Sequence, residues 1–118
     1  MTISNLYGVC MNTLQKENNF GISAKTLSLI IEQLKGYPQI EKAIIFGSRA
    51  MGNYKPGSDI DLAITGKGIN YKLLVKLGTV LNEELPIPYK IDLIHFDTIA
   101  NPELTEHILQ HGKIIYER

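Results

Sequence analysis

Residues 44–61 read IIFGSRAMGNYKPGSDID, and this stretch decides how the rest of the chain is interpreted. The apolar residues 43–46 end abruptly at Gly47 and Ser48, which predicts a buried strand followed by a sharp turn. After a glycine-rich connector, Asp59 and Asp61 bracket a single isoleucine. If residues 59–63 form a strand, both carboxylates point to one face, with Cα atoms about 6.6 Å apart. We therefore expect two carboxylates and a small-residue turn close together.

The residue types in this stretch suit a phosphate compound that is bound together with a metal ion. Carboxylate oxygens are the ligands that Mg²⁺ prefers, and water and substrate phosphates usually complete its coordination. Gly47 and Ser48 offer backbone N–H groups and a hydroxyl without a bulky side chain, as phosphate oxygens require. A plain hairpin with solvated aspartates is the alternative. Against it, Asp61 lies in an apolar run, where an unpaired carboxylate costs several kcal/mol.

An apolar residue before Gly-Ser, a gap of ten residues and then Asp-apolar-Asp resembles the signature of the DNA polymerase β nucleotidyltransferase superfamily. The resemblance is strongest to its short stand-alone members, the minimal nucleotidyltransferases. That family has a third carboxylate between apolar residues on a later strand, which matches Ile91-Asp92-Leu93. The resemblance implies a single-domain α/β nucleotidyltransferase fold, with a mixed sheet of about four strands flanked by helices.

The resemblance also implies roles for the residues of the motif. The catalytic residues, which would also hold Mg²⁺, are Asp59, Asp61 and Asp92. Gly47 and Ser48 would bind the phosphates of a nucleoside triphosphate, which we expect to be ATP. Arg49, in the connector, would hold a phosphate or a carboxylate of a partner, with a solvated surface arginine as the equal alternative.

The reaction that the resemblance implies is transfer of AMP from ATP to an acceptor hydroxyl, with release of pyrophosphate. Such short members are commonly encoded beside a small all-helical HEPN-type protein, which implies an antitoxin that transfers AMP to this partner. Two alternatives stay open. One is a binding module that masks a helical partner without catalysis, and the other is an adenylyltransferase of a small hydroxylated compound. Assembly as a homo- or hetero-oligomer is also open.

Length and composition narrow the classes of protein further. The chain has 118 residues, enough for one domain with a real core but not for two. Twelve basic residues balance twelve acidic ones, so the charge gives no argument for direct binding of nucleic acid or of anionic membranes. The single cysteine, Cys10, cannot form an internal disulfide, which favours a cytoplasmic protein. No stretch approaches the roughly 20 apolar residues of a membrane span.

Periodicity and capping residues predict the elements around the motif. Residues 1–20 show no sustained periodicity and predict a flexible tail, which leaves residues 21–118 as the nucleotidyltransferase domain. We expect helices from Ser23 to Gly36, from Asn70 to about Leu85 and from Asn101 to Gly112. The predicted strands are residues 40–46, 59–65, 89–95 and 113–116.

The three histidines are interpreted without a role in the site. His95 lies three residues beyond Asp92 and on the opposite face of its strand, which favours a core-edge position over metal binding. His107 and His111 have the i, i+4 spacing of a metal pair. With no third ligand nearby and a glycine that ends the helix beside them, we interpret both as solvated or as partners of the helix C-terminus.

Overall fold

The structure, a computed structural model, describes residues 20–118. Residues 1–19 of the predicted tail, with Cys10, lie outside the described residues. Phe20, the last residue of that predicted tail, packs against the hydrophobic core.

Within residues 20–118, the elements alternate as the sequence predicts. The helices and strands are α1 Ala24–Lys35, β1 Lys42–Phe46, α2 Ser48–Met51, β2 Ile60–Thr65, α3 Tyr71–Thr79, β3 Ile91–His95, α4 Pro102–His111 and β4 Lys113–Glu117. A π-helical segment, Val80–Glu84, continues α3, and a single 3-10 turn, Phe96–Thr98, follows β3. None of the described helices is both long enough and apolar enough to cross a membrane.

Each long helix begins at the capping residue that the sequence predicts. The side chains of Ser23, Asn70 and Asn101 accept hydrogen bonds from backbone N–H groups of the first turns of α1, α3 and α4. These bonds satisfy donors that no carbonyl inside the helix can reach. Pro102 follows its cap at the first helical position, where its missing N–H costs nothing.

The four strands form one mixed sheet in the order β3-β2-β1-β4. Strand β1 is antiparallel to both β2 and β4, whereas β2 and β3 are parallel. A parallel pair needs a crossover connection, which α3 and the π-helical segment supply. The mixed α/β sheet that we expected is confirmed. Its parallel pair brings Asp61 of β2 into register with Asp92 of β3.

The sheet has a thick core on one side and a thin one on the other. Residues of α1 and α3 pack on the first side, where Ile30, Leu34 and Leu77 are fully buried. On the second side, which we call the α4 side, Ile108 packs against Phe46 and Ala63. Because side chains alternate along a strand, Asp61 lies on the same side as Ala63.

Several sequence-based expectations need correction. Strand β2 starts at Ile60, so Asp59 precedes the strand rather than opening it. The chain before Ile91 is not part of β3, and Asp92 is exposed because β3 lies at the edge of the sheet.

The predicted long helix after Asn70 is also different. It is α-helical only to Thr79 and continues as a π-helix. The π-helical segment carries Asn82, whose carboxamide accepts a hydrogen bond from the N–H of Ile91 and donates one to its carbonyl, at 2.7 and 3.0 Å. Asn82 thereby satisfies edge groups of β3 that have no neighbouring strand.

Candidate active site

Three aspartates meet at one end of the sheet, on the α4 side. Asp61 of β2 is half-buried and stands in register with Asp92 of β3 and with Phe46 of β1. Residues paired across parallel strands point to the same face, and neighbouring strands lie about 4.8 Å apart. Asp59 is exposed just before β2 and close enough to influence Asp61 electrostatically. The structure thus brings together the three carboxylates that the sequence singled out.

The electrostatics of Asp61 reflect this crowding. The pKa of Asp61 is raised above its ordinary value, chiefly because burial removes water and further because Asp92 and Asp59 add negative charge. His107 acts in the opposite direction and lowers the pKa. A carboxylate whose charged form is disfavoured by burial and by like charges is one that a bound cation would stabilise.

The donor set fits Mg²⁺ in ligand type and in charge. All three side chains offer hard oxygen atoms, and their negative charges are incompletely compensated. As the side chains stand, residues 20–118 contain no group of three or more His, Cys, Asp or Glu that is placed to hold one ion. Mg²⁺ needs no such cage, because one or two carboxylates together with water and substrate phosphates commonly suffice.

Gly47 forms the turn that leads from β1 towards these carboxylates. Its φ of 75° and ψ of −154° belong to a region that is essentially restricted to glycine. A Cβ atom at this position would overlap the Oδ2 atom of Asp61. Glycine is therefore required here for two reasons: the backbone conformation, and the carboxylate of Asp61 that packs against this residue.

The backbone N–H of Gly47 is bound within the protein. It donates a hydrogen bond to Nε2 of His107 in α4, at 3.1 Å. We expected His107 to be solvated or to interact with the helix C-terminus, and this is wrong: its side chain binds the backbone of the motif. Only the i, i+4 spacing with His111 marked it in the sequence, and that spacing pointed to a metal pair instead.

Ser48 follows Gly47 as the first residue of α2. Its carbonyl accepts hydrogen bonds from Gly52 and Asn53 at the end of the short helix. Its hydroxyl has no hydrogen-bond partner among the described residues. The role of Ser48 in binding phosphate stays a prediction.

Arg49 lies inside the protein, so the solvated surface arginine that we considered is wrong. Only 2% of the residue is exposed. Its guanidinium donates to the carbonyls of Ser58, Phe20 and Gly21, with the shortest bond at 2.7 Å. The guanidinium carbon also lies 4.9 and 4.7 Å from the ring centroids of Tyr54 and Tyr89.

The contacts of Arg49 join the segments that surround the acidic site. Ser58 directly precedes Asp59, and Tyr89 lies shortly before β3. In this structure the guanidinium is directed at backbone carbonyls and not at the α4 side of the sheet's open end. Arg49 thereby holds the connector against the segment that carries Asp59.

The remaining histidines, His95 and His111, have no contact with the three aspartates of the site among the described residues. His95 is at the far end of β3, where its Nε2 lies 3.3 Å from a carboxylate oxygen of Asp97, in agreement with the core-edge interpretation. His111 is exposed one turn beyond His107, and the two ring centroids are 5.3 Å apart.

The acidic site lies at the protein surface, because Asp59 and Asp92 are exposed and Asp61 is only half-buried. A cavity of about 720 Å³ lies between α3, the π-helical segment and β3. None of the three aspartates lines it, and its residues Ile91 and Leu93 belong to the other face of β3. An acceptor at the acidic site therefore has to approach from outside.

Comparison with known proteins agrees with this geometry. The family model described as "Polymerase beta, Nucleotidyltransferase" matches residues 29–118. A candidate protein adenylyltransferase of Methanocaldococcus jannaschii is 34% identical over an alignment of 90 residues that covers 66% of this chain and 80% of that protein.

Solved structures share the fold. One is a toxin–antitoxin complex with AMP-PNP, with a TM-score of 0.65, 23% identity and coverage of 78% of this chain and 73% of that chain. Another is a tri-AMPylated Shewanella oneidensis HEPN toxin in complex with an MNT antitoxin, with a TM-score of 0.61, 21% identity and coverage of 80% and 71%. The match of the family model over most of the chain, and the arrangement of the three aspartates beside the Gly-Ser turn, show that this protein belongs to the polymerase β nucleotidyltransferase family.

Proposed function

We propose that this protein is a Mg²⁺-dependent nucleotidyltransferase that transfers AMP from ATP to a hydroxyl of a partner protein. The observation that carries the proposal is the side-by-side placement of Asp61 and Asp92, with Asp59 nearby and Gly47 packed against the Asp61 carboxylate. This arrangement concentrates negative charge at one open point of the surface, next to a turn suited to phosphate.

Each side chain has a distinct task in the proposed reaction. Asp59, Asp61 and Asp92 would hold Mg²⁺, which supplies charge neutralisation for the triphosphate and lowers the pKa of the attacking hydroxyl. The acceptor oxygen bonds to the α-phosphorus while the bond from that phosphorus to the bridging oxygen of pyrophosphate breaks. Asp92, the exposed carboxylate at the sheet edge, accepts the hydroxyl proton. Ser48 orients the leaving phosphates.

The open site favours a protein as the acceptor. A small hydroxylated compound needs walls that exclude water and fix its orientation, whereas two of the three aspartates are exposed at the protein surface. A folded partner brings its own wall together with the hydroxyl. Among the similar proteins, the relative from Methanocaldococcus jannaschii is described as a candidate protein adenylyltransferase, and the similar antitoxin is in complex with an AMPylated HEPN toxin.

We therefore propose that the partner is a small all-helical HEPN-type toxin, which this protein inactivates as an antitoxin. The reaction consumes ATP, so we place the pair in the cytoplasm. The alternative function is a masking module that covers the same partner without chemistry. That alternative gives no reason for three carboxylates to be kept close together in spite of their repulsion.

A titration separates catalysis from masking. The toxic activity of the partner is measured against increasing amounts of this protein, with and without ATP and Mg²⁺, followed by intact-mass analysis of the partner. Catalysis predicts that a small fraction of an equivalent inactivates the partner and adds whole AMP units to its mass. Inhibition that saturates only at equimolar protein, is indifferent to ATP and leaves the mass unchanged would establish the masking module instead.

A further inference from the structure

His107 lies outside the sequence motif and binds the motif's backbone directly from another layer of the fold. Its Nε2 atom accepts the N–H of Gly47 at 3.1 Å, across a sequence separation of 60 residues. Because Nε2 is the acceptor, the ring proton of the neutral imidazole is on Nδ1.

The position of His107 is determined by its helix rather than by its own side chain. The neighbouring Ile108 is 2% exposed and packs with Phe46 and Ala63 on the α4 side. At the C-terminal end, a Cβ atom on Gly112 would meet Cγ2 of Ile44 at 2.6 Å, so α4 approaches β1 too closely for any other residue there. These two contacts seat α4 on the sheet with His107 directed at the end of β1.

The hydrogen bond acts on the most constrained residue of the site. The Gly47 conformation is one that a free chain rarely adopts, so it persists only where neighbouring groups hold it. The ring of His107 also packs edge-on against Phe46, the residue before Gly47, with centroids 6.3 Å apart. His107 thus contacts the side chain of Phe46, where β1 ends, and the backbone N–H of Gly47, where the turn begins.

We infer that His107 is a positioning residue for the nucleotide: it holds the Gly47 turn so that Ser48 and the Asp61 carboxylate are in place before the triphosphate binds. This inference rests on the proposed nucleotidyl transfer, because it assigns the preorganised turn to nucleotide phosphates. A turn that is already held loses less conformational freedom on binding, and therefore binds more tightly.

Two substitutions of His107 distinguish the contribution of its hydrogen-bond acceptor from that of its ring packing. His107→Gln keeps an acceptor oxygen at about the position of Nε2 and removes the ring, whereas His107→Phe keeps the ring against Phe46 and removes the acceptor. His111→Phe is the matched control, because it makes the same change at the exposed position one turn along α4.

The readouts are the hydrogen-exchange rate of the Gly47 amide, the dissociation constant for Mg²⁺–ATP by calorimetry, and the melting temperature. We expect His107→Phe to speed exchange at Gly47 and to weaken ATP binding by about three- to tenfold, the effect of one lost hydrogen bond. His107→Gln is expected to restore both to within about twofold of wild type. His111→Phe is expected to leave both within the same range.

A merely structural role of His107 predicts a different pattern. Both His107 variants would then lower the melting temperature, with no recovery of ATP binding in His107→Gln. That pattern, or unchanged Gly47 exchange in His107→Phe, would overturn the inference while wild type still binds ATP. If wild type does not bind Mg²⁺–ATP at all, the proposed function fails, and with it the assignment of the turn to nucleotide.

Discussion

The carboxylate of Asp61 occupies the space that a side chain at residue 47 would need. This contact joins the two halves of the sequence motif, which are separated by a connector but adjacent on β1 and β2. Phe46 and Asp61 are register partners in these antiparallel strands, so the turn after Phe46 necessarily ends beside Asp61. The Gly-Ser turn and the acidic strand therefore form one structural unit.

We expect Gly47→Ala to be more destabilising than Gly52→Ala. Gly52 also has a positive φ, 83°, but no atom lies within 4 Å of the Cβ that an alanine would add there. Its substitution measures the penalty of the left-handed α conformation, about 1–2 kcal/mol, whereas the φ and ψ of Gly47 belong to a region that is essentially restricted to glycine. Gly47→Ala adds the overlap with Asp61, a further cost of about 1–3 kcal/mol. Urea unfolding of both variants measures the difference.

A double substitution tests the origin of that extra cost. In an Asp61→Ala background the carboxylate is gone, and the remaining Cβ of residue 61 is at an ordinary contact distance of 3.6 Å from the added atom. Gly47→Ala is then expected to cost about 1–3 kcal/mol less than in the wild-type background, whereas the cost of Gly52→Ala is expected to be the same in both backgrounds. An unchanged extra cost would show that the overlap with Asp61 is not its source.

Asn substitutions of the aspartates test the proposed chemistry. Asp59→Asn, Asp61→Asn and Asp92→Asn each remove a negative charge with little change of shape, so we expect folded proteins that have lost transfer of labelled AMP by about 100-fold or more. Asp97→Asn is the matched control, because Asp97 lies beyond the far end of β3, where it accepts the N–H of Gly66 and lies 3.3 Å from Nε2 of His95. Retained transfer in the Asp61 variant would show that the site is assigned wrongly.

The raised pKa of Asp61 predicts that, in the absence of metal, this residue lowers the stability of the fold as the pH rises. The folded protein binds the Asp61 proton more tightly than the unfolded chain does. Stability from this group is therefore present below the ordinary pKa of 3.8 and declines as pH rises through the higher folded value. Since Asp61 is only partly buried, we predict the direction of the effect and no size.

The measurement compares wild type and Asp61→Asn by chemical unfolding at a series of pH values in the presence of a chelator. We expect the variant to gain stability relative to wild type as pH rises through this window, because asparagine does not titrate. Mg²⁺ is expected to reduce the difference by stabilising wild type. A relative stability that is constant with pH would contradict the prediction.

Arg49→Met is expected to destabilise the fold by about 3 kcal/mol or more. The substitution removes the guanidinium donor from carbonyls at residues 20, 21 and 58, although the Gly21 carbonyl keeps the hydroxyl of Tyr89 at 3.4 Å, and each carbonyl left unsatisfied costs about 1–3 kcal/mol. Lys55→Met, in the same connector but exposed, is the control and is expected to change stability by less than about 0.5 kcal/mol. Thermal or urea unfolding of the two variants decides the matter, and equal effects would contradict the role assigned to Arg49.

The local parts of the fold were predictable because their causes are local. The caps at Ser23, Asn70 and Asn101 bond to N–H groups two or three residues away, so the sequence shows both partners together. The π-helical turn was not predictable, because Asn82 bonds to an edge strand that the helix sequence does not reveal. The exposure of Asp92 likewise depends on the strand order, and no alternation within β3 indicates that it is an edge strand.

The sequence by itself determined that two carboxylates follow a Gly-Ser turn at a spacing suited to a metal–phosphate site, because period-two alternation and the lack of a glycine side chain are properties of the residues themselves. Only the tertiary structure decided what surrounds that site. The parallel pairing of β2 and β3 placed Asp92 beside Asp61, the packing of Ile108 brought His107 to the Gly47 amide, and burial converted Arg49 from a surface cation into a clamp on three carbonyls. These contacts join residues far apart in the chain, and their energies depend on the packing of the sheet and its helices, which no local pattern records.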